Sequence, residues 1–147
     1  MNIDKAVLIW GPVSKEGVEY LRFQRRQVII CENRPYLLGL KHNKPLIEEA
    51  KLRFTYCTDN TIGHLLYKKA VREAVLFCEK QDGVIKGLSG SLYVWLLARI
   101  HHIPVKLLQE GEVDLEGFLD KDAGTLDGKK VVKKGLIGHP AYETIEG

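Results

Sequence analysis

RFTYCTDNTIGHLL, running from Arg53 to Leu66, decides how the rest of the chain is read. Phe54-Thr55-Tyr56-Cys57 is short, aromatic and β-branched, the composition of a buried strand. Thr58-Asp59-Asn60 follows with three residues that favour helix N-caps, and Ile62, Leu65 and Leu66 recur at helical spacing. A strand that empties into a capped helix leaves backbone N–H groups aimed at the carboxyl edge of a parallel sheet. In open α/β folds that edge is where anionic ligands bind.

The same grammar extends in both directions. Ala6–Trp10 is a continuous apolar run, as expected of a strand covered on both faces. Gly11–Ser14 is a turn, and a helix is predicted from Ser14 to Gln24 with Val18, Leu21 and Phe23 inward, although Gly17 counts against it. Val28–Cys31 is the second strand. Pro45 suits a first helical turn, followed by a stripe of Leu46, Ile47 and Ala50. Beyond the opening stretch, Ala74–Cys78 is a fourth strand, Gln81–Gly83 a turn and Gly87–Ser91 a flexible loop. Leu92–Ile100 is apolar nearly all round and is expected to be the most buried helix; Pro104 ends it, and Val105–Leu108 is a fifth strand. Glu110–Asp127 reads as a surface excursion, and Val131-Val132 or Leu136-Ile137 as an added edge strand. Alternating strands and helices predict one α/β domain over 1–147. Its expected form is a doubly wound, mostly parallel sheet of about six strands, Rossmann-like, in three layers.

Composition excludes several classes. The 147 residues are 45% hydrophobic and 28% charged, with a net charge of only +3. The basic pairs Arg25-Arg26, Lys129-Lys130 and Lys133-Lys134 read as solvated turns, so direct nucleic-acid binding is not expected. No apolar run is long enough to span a bilayer, and the chain opens on a strand, which predicts no signal peptide and no membrane association. Three cysteines without zinc-type spacing predict a reducing, cytoplasmic setting and no metal site. Cys31, Cys57 and Cys78 each close a predicted strand, so all three are expected at the carboxyl edge. They read either as a reactive cluster or as small, easily buried core residues.

CENRPYLLG at Cys31–Gly39 resembles the ETRPLLQG-type motif of the translation initiation factor 2B family, which includes methylthioribose-1-phosphate and ribose-1,5-bisphosphate isomerases. TDNTIGHLL at Thr58–Leu66, DGVIK at Asp82–Lys86, Gly90-Ser91, LLARIHHIPV at Leu96–Val105 and HPAYETI at His139–Ile145 resemble further motifs of that family, in order. The resemblance implies the family's C-terminal Rossmann-like domain alone. It also marks two departures. Trp10-Gly11-Pro12-Val13 stands where the isomerases carry a cysteine, and Cys78-Glu79 where they carry a catalytic aspartate.

What the resemblance implies for chemistry follows from what survives. A phosphate cradle is expected at Gly90 and Ser91, whose N–H groups open a helix, with the Ser89 and Ser91 hydroxyls and charge from Arg34 and Lys86. A plain flexible loop with an N-cap is the alternative. Arg34 reads equally as a salt bridge to Glu32 or Asp59. Asp59 and Asn60 read as helix caps first and as ribose ligands second. His139 is the histidine worth testing. If the chain is an enzyme, Glu79 is the candidate acid and Cys78 or Cys31 the candidate thiol. The resulting expectation is a domain that binds a phosphorylated ribose or nucleotide, with a regulatory or assembly role, no cofactor, and a homodimer or related subunit as partner. An isomerase with a rearranged site and a purely structural subunit of a translation-related complex are the alternatives.

Overall fold

The computed structural model describes residues 6–115, 125–126, 129–130 and 142–145. Strands β1 (Ala6–Trp10), β2 (Val28–Cys31), β3 (Phe54–Cys57), β4 (Val71–Gln81), β5 (Val84–Leu88), β6 (Val105–Gln109) and β9 (Tyr142–Ile145) form one seven-stranded sheet. β7 (Thr125–Leu126) and β8 (Lys129–Lys130) pair separately. The helices are α1 (Lys15–Gln24), α2 (Lys44–Glu49), α3 (Ile62–Tyr67) and α4 (Ser91–Ile100). The sheet runs β3-β2-β1-β4-β5-β9, with β6 also paired to β4. β3, β2, β1, β4 and β6 are parallel; β5 and β9 are antiparallel additions.

β1 shows why the sheet needs two covering layers. Successive side chains of a strand point to opposite faces. Ala6, Leu8 and Trp10 enter the core that α3 and α4 close through Ile62, Leu66, Val94 and Ala98. Val7 and Ile9 enter the other core, with Leu21 of α1 and Ile47 of α2. Strand order reverses direction at β1, so β1 and β4 flank the switch point where doubly wound sheets open a crevice. The expected three-layer α/β fold is present.

Several local expectations are corrected. Gly87 and Leu88 are not loop: β4 continues past Cys78 to Gln81 and turns through Asp82 (φ 52°) and Gly83 (φ 78°) into β5. Positive φ at both central residues is the hairpin geometry that Asp-Gly favours. α4 is apolar nearly all round but not buried all round, for Tyr93, Leu96 and Ile100 are exposed. Phe23 points outward, 83% exposed, because the inward stripe of α1 is completed by Leu21 and Val18. Gly17 belongs in α1, since a Cβ there would lie 2.2 Å from the Phe77 ring. The edge strands expected at Val131-Val132 or Leu136-Ile137 lie outside the described residues. Among the described residues, no helix is long and apolar enough to cross a membrane.

Candidate functional site

The carboxyl edge of the sheet holds three groups of polar residues. The first ties β2 to β3. Asp59 accepts the N–H groups of Asn33 at 2.9 Å and Arg34 at 2.8 Å. Glu32 takes the Asp59 N–H at 3.1 Å and the Arg34 Nε–H at 3.1 Å. Burial pushes the Asp59 carboxyl above its usual range, against the pull of those two N–H bonds. Asp59 is therefore not the cap of its own helix, and its oxygens serve the preceding loop. Arg34 forms the salt bridge to Glu32 and stays exposed. Asn60 accepts a hydrogen bond from the Thr58 hydroxyl at 2.7 Å.

The second group fixes the loop after β1. Buried Asn33 accepts the Gly11 N–H at 3.3 Å, and buried Asn43 accepts the Val13 N–H at 3.0 Å while donating to the Gly11 carbonyl at 2.9 Å. Gly111 N–H donates to the Pro12 carbonyl at 2.9 Å. Gly11 has φ 91°, and a Cβ on it would meet the Phe77 carbonyl oxygen at 2.5 Å. Backbone groups of this turn are thus spent on the fold.

The third group surrounds the start of α4. Glu143, arriving on β9, places one carboxylate oxygen 3.0 Å from both the Gly90 and Leu92 nitrogens. The helix N-terminus does hold an anion, and the anion is the chain's own. Ser91 is fully buried, and its hydroxyl has no hydrogen-bond partner. Trp10 packs beneath Gly90 so closely that a Cβ there would lie 2.2 Å from the indole.

Beside this closure lies a cleft of about 250 Å³ that includes Glu79, Glu110, Glu112 and Tyr142. The Tyr142 hydroxyl donates to Glu110 at 3.2 Å, while the other Glu110 oxygen is buried without a partner. Burial raises the Glu110 carboxyl to about 7, with the Tyr142 bond opposing and the Glu79 charge assisting. Glu110 can therefore carry a proton near neutrality. Three glutamates make this cleft unfavourable to phosphate.

The residues expected to act together are dispersed. Gly87 faces α4, so the neighbouring Lys86 points to the opposite face, directly across from Glu79. Arg34 sits at the end of β2, two strands from β4, and engages Glu32. Ser89 is half-buried in the turn before Gly90. Cys78 is buried, and its thiol is pushed up to about 12 by burial and then by the Glu110 charge. The Cys31 thiol is also pushed up, chiefly by burial, so neither thiol suits a nucleophile in the cleft. Trp10 and Trp95 are buried. His139 lies outside the described residues. Among the described residues, no group of three metal-ligating side chains comes together. Glu110 and Glu143 escaped sequence reading because each stands far from its partners, although Glu143 lies inside a quoted motif.

No family model matches the chain. No curated protein matches it either. Solved structures do. Translation initiation factor eIF-2B subunit delta from A. fulgidus matches 95% of this chain and 48% of its own, with a TM-score of 0.70 at 16% identity. The 5-methylthioribose 1-phosphate isomerase from Pyrococcus horikoshii matches 96% and 47%, with a TM-score of 0.69 at 15% identity. Translation initiation factor eIF-2B from Pyrococcus horikoshii matches 97% and 54%, with a TM-score of 0.59 at 17% identity. The chain has their fold. It spans about half the length of these structures, and the likeness agrees with the motifs read from the sequence.

Proposed function

We propose that the chain is a regulatory or assembly domain of the initiation-factor-2B kind, without isomerase turnover of its own. The observation that carries this reading is Glu143, whose carboxylate occupies two N–H groups at the start of α4, those of Gly90 and Leu92, and so takes one of the two donors expected to cradle a phosphate. The buried, pushed-up thiols of Cys31 and Cys78 support it. So does the Gly11–Ser14 turn, whose hydrogen bonds are already committed to Asn33 and Asn43. Association with a second copy or a related subunit belongs to this reading. Exposed Tyr67, Tyr93, Leu96 and Ile100 on α3 and α4 give it apolar surface of the kind that marks association. Light scattering of the purified chain, paired with a turnover assay on methylthioribose 1-phosphate and ribose 1,5-bisphosphate, tests it. A dimer or subunit complex without turnover is expected. A monomer that converts either sugar phosphate would overturn it.

A second reading keeps a ligand. The buried Ser91 hydroxyl at the first turn of α4 has no partner, which favours a phosphorylated ribose or nucleotide that enters by displacing Glu143. Glu143→Gln weakens the competing anion and, on this reading, tightens binding of AMP or ribose 5-phosphate; Ser91→Ala weakens it. Unchanged affinity in both variants would rule this reading out.

A further inference from the structure

Cys31 and Cys57 face each other at the carboxyl ends of β2 and β3. The two residues are direct partners in the parallel ladder, the last pair of a register that begins at Val28 and Phe54. Neighbouring strands lie about 4.8 Å apart, inside the Cα separation of about 4.4–6.8 Å that a disulfide spans. The sulfurs are already 3.9 Å apart, with the Cys57 S–H directed at Cys31. Both are free thiols.

The two differ in access. Cys31 is wholly buried, whereas Cys57 is half-buried on β3, the strand at the end of the sheet. When Cys57 loses its proton, the donor role passes to Cys31. That hydrogen bond holds the Cys57 thiol below its ordinary value, against burial and the charges of Asp59 and Glu32. Cys31 moves the other way, because burial and then the Cys57 sulfur both oppose its ionisation. One cysteine is thus placed to react first and the other to resolve. Cys78 is separated from them, on β4 and across β1 from β2.

We propose that Cys31 and Cys57 form a reversible peroxide-oxidisable dithiol site. The Cys57 thiolate attacks one peroxide oxygen, the O–O bond breaks, and hydroxide leaves, giving a sulfenic acid. The Cys31 sulfur then attacks the Cys57 sulfur, its proton leaves with the displaced hydroxyl as water, and the S–S bond forms. Two thiols and one hydrogen peroxide become one disulfide and two waters; a dithiol reductant reverses the change by exchange. The bond would clasp the terminal strand β3 to β2, one residue before Glu32 and two before Asp59. It would therefore brace the hydrogen-bonded knot that those carboxylates make.

The test treats the full chain with stoichiometric hydrogen peroxide at neutral pH, followed by alkylation, intact mass and peptide mapping. The expected result is loss of two of the three alkylatable thiols, a fall of about 2 Da before alkylation and a Cys31–Cys57 cross-linked peptide. Dithiothreitol restores all three thiols. Cys78→Ser gives the same cross-link, whereas Cys31→Ser gives Cys57 sulfenic acid that dimedone traps. Amide exchange should slow in Phe54–Cys57 on oxidation of the wild type, a readout that does not depend on the variants folding. Failure to form the intramolecular bond at peroxide levels that oxidise free cysteine would overturn the proposal. So would over-oxidation of Cys57 to sulfinic acid without a cross-link, or a cross-link through Cys78.

Discussion

The ends of β2 and β3 and the start of α4 lie on the same edge of the sheet, yet they are closed in different ways. At β2 and β3, Glu32, Asn33, Arg34 and Asp59 bind one another through backbone N–H groups and carboxylates, and the Gly39 N–H bonds the Glu32 carbonyl at 3.0 Å. At α4, one carboxylate from the distant β9 strand closes the helix, and a buried hydroxyl beside it is left unpaired. The first region resembles a structural knot, assembled from neighbouring turns. The second resembles a ligand site filled from within. Residues alike in a motif can therefore serve the fold at one end of a sheet and hold a site shut at the other.

Substitutions should separate the two regions by size of effect. Gly39→Ala should be the most damaging, because its Cβ would lie 1.6 Å from the Cys31 carbonyl oxygen. Neither backbone segment can yield cheaply, so a loss of about 3 kcal/mol or more is expected in urea unfolding. Asp59→Ala removes the acceptor for two N–H groups and should cost about 2–3 kcal/mol in the same measurement. A cost below about 0.5 kcal/mol would show that the knot is decoration.

Glu143→Ala should cost less, about 1–2 kcal/mol, as loss of a helix cap does. Calorimetry that shows no change in melting would mean that Glu143 does not close α4 in solution. Glu110 contributes the smallest effect, and a pH-dependent one. Folded, its carboxyl holds a proton up to about 7, whereas the reference value is 4.5. The folded state binds more protons between these values, so stability should fall as pH rises from about 4.5 through about 7. With solvent screening the loss is on the order of 1 kcal/mol, and Glu110→Gln should flatten that part of the pH profile.

The contrast also explains what could be read from the sequence. β1 and β2 are contiguous apolar runs between turn residues, and their bounds followed from composition. The bounds of β3 followed too, but it is not the buried strand its composition suggested, for it ends the sheet and leaves Tyr56 exposed. The salt bridge of Arg34 to Glu32 was open to reading because the two lie two residues apart. The β4–β5 hairpin carried a usable signal in Asp82-Gly83, but Gly87 and Gly90 made the following strand look like a loop. Glu143 and Glu110 had no local signal. Their roles depend on β9 pairing with β5 and on β6 ending beside the cleft, which are contacts between residues more than 30 positions apart. The orientation of Lys86 likewise depends on strand parity, which spacing alone did not fix.

The most direct test of Glu143 as the occupant of the anion position is thermal unfolding of the wild-type chain with ribose 5-phosphate, methylthioribose 1-phosphate, AMP and GMP. A ligand at about 100 times its dissociation constant adds about 2.7 kcal/mol, enough to move the melting midpoint by several degrees. With the start of α4 already filled, the account predicts no shift with any of the four compounds. A shift of several degrees in the wild type, abolished by Ser91→Ala, would contradict it.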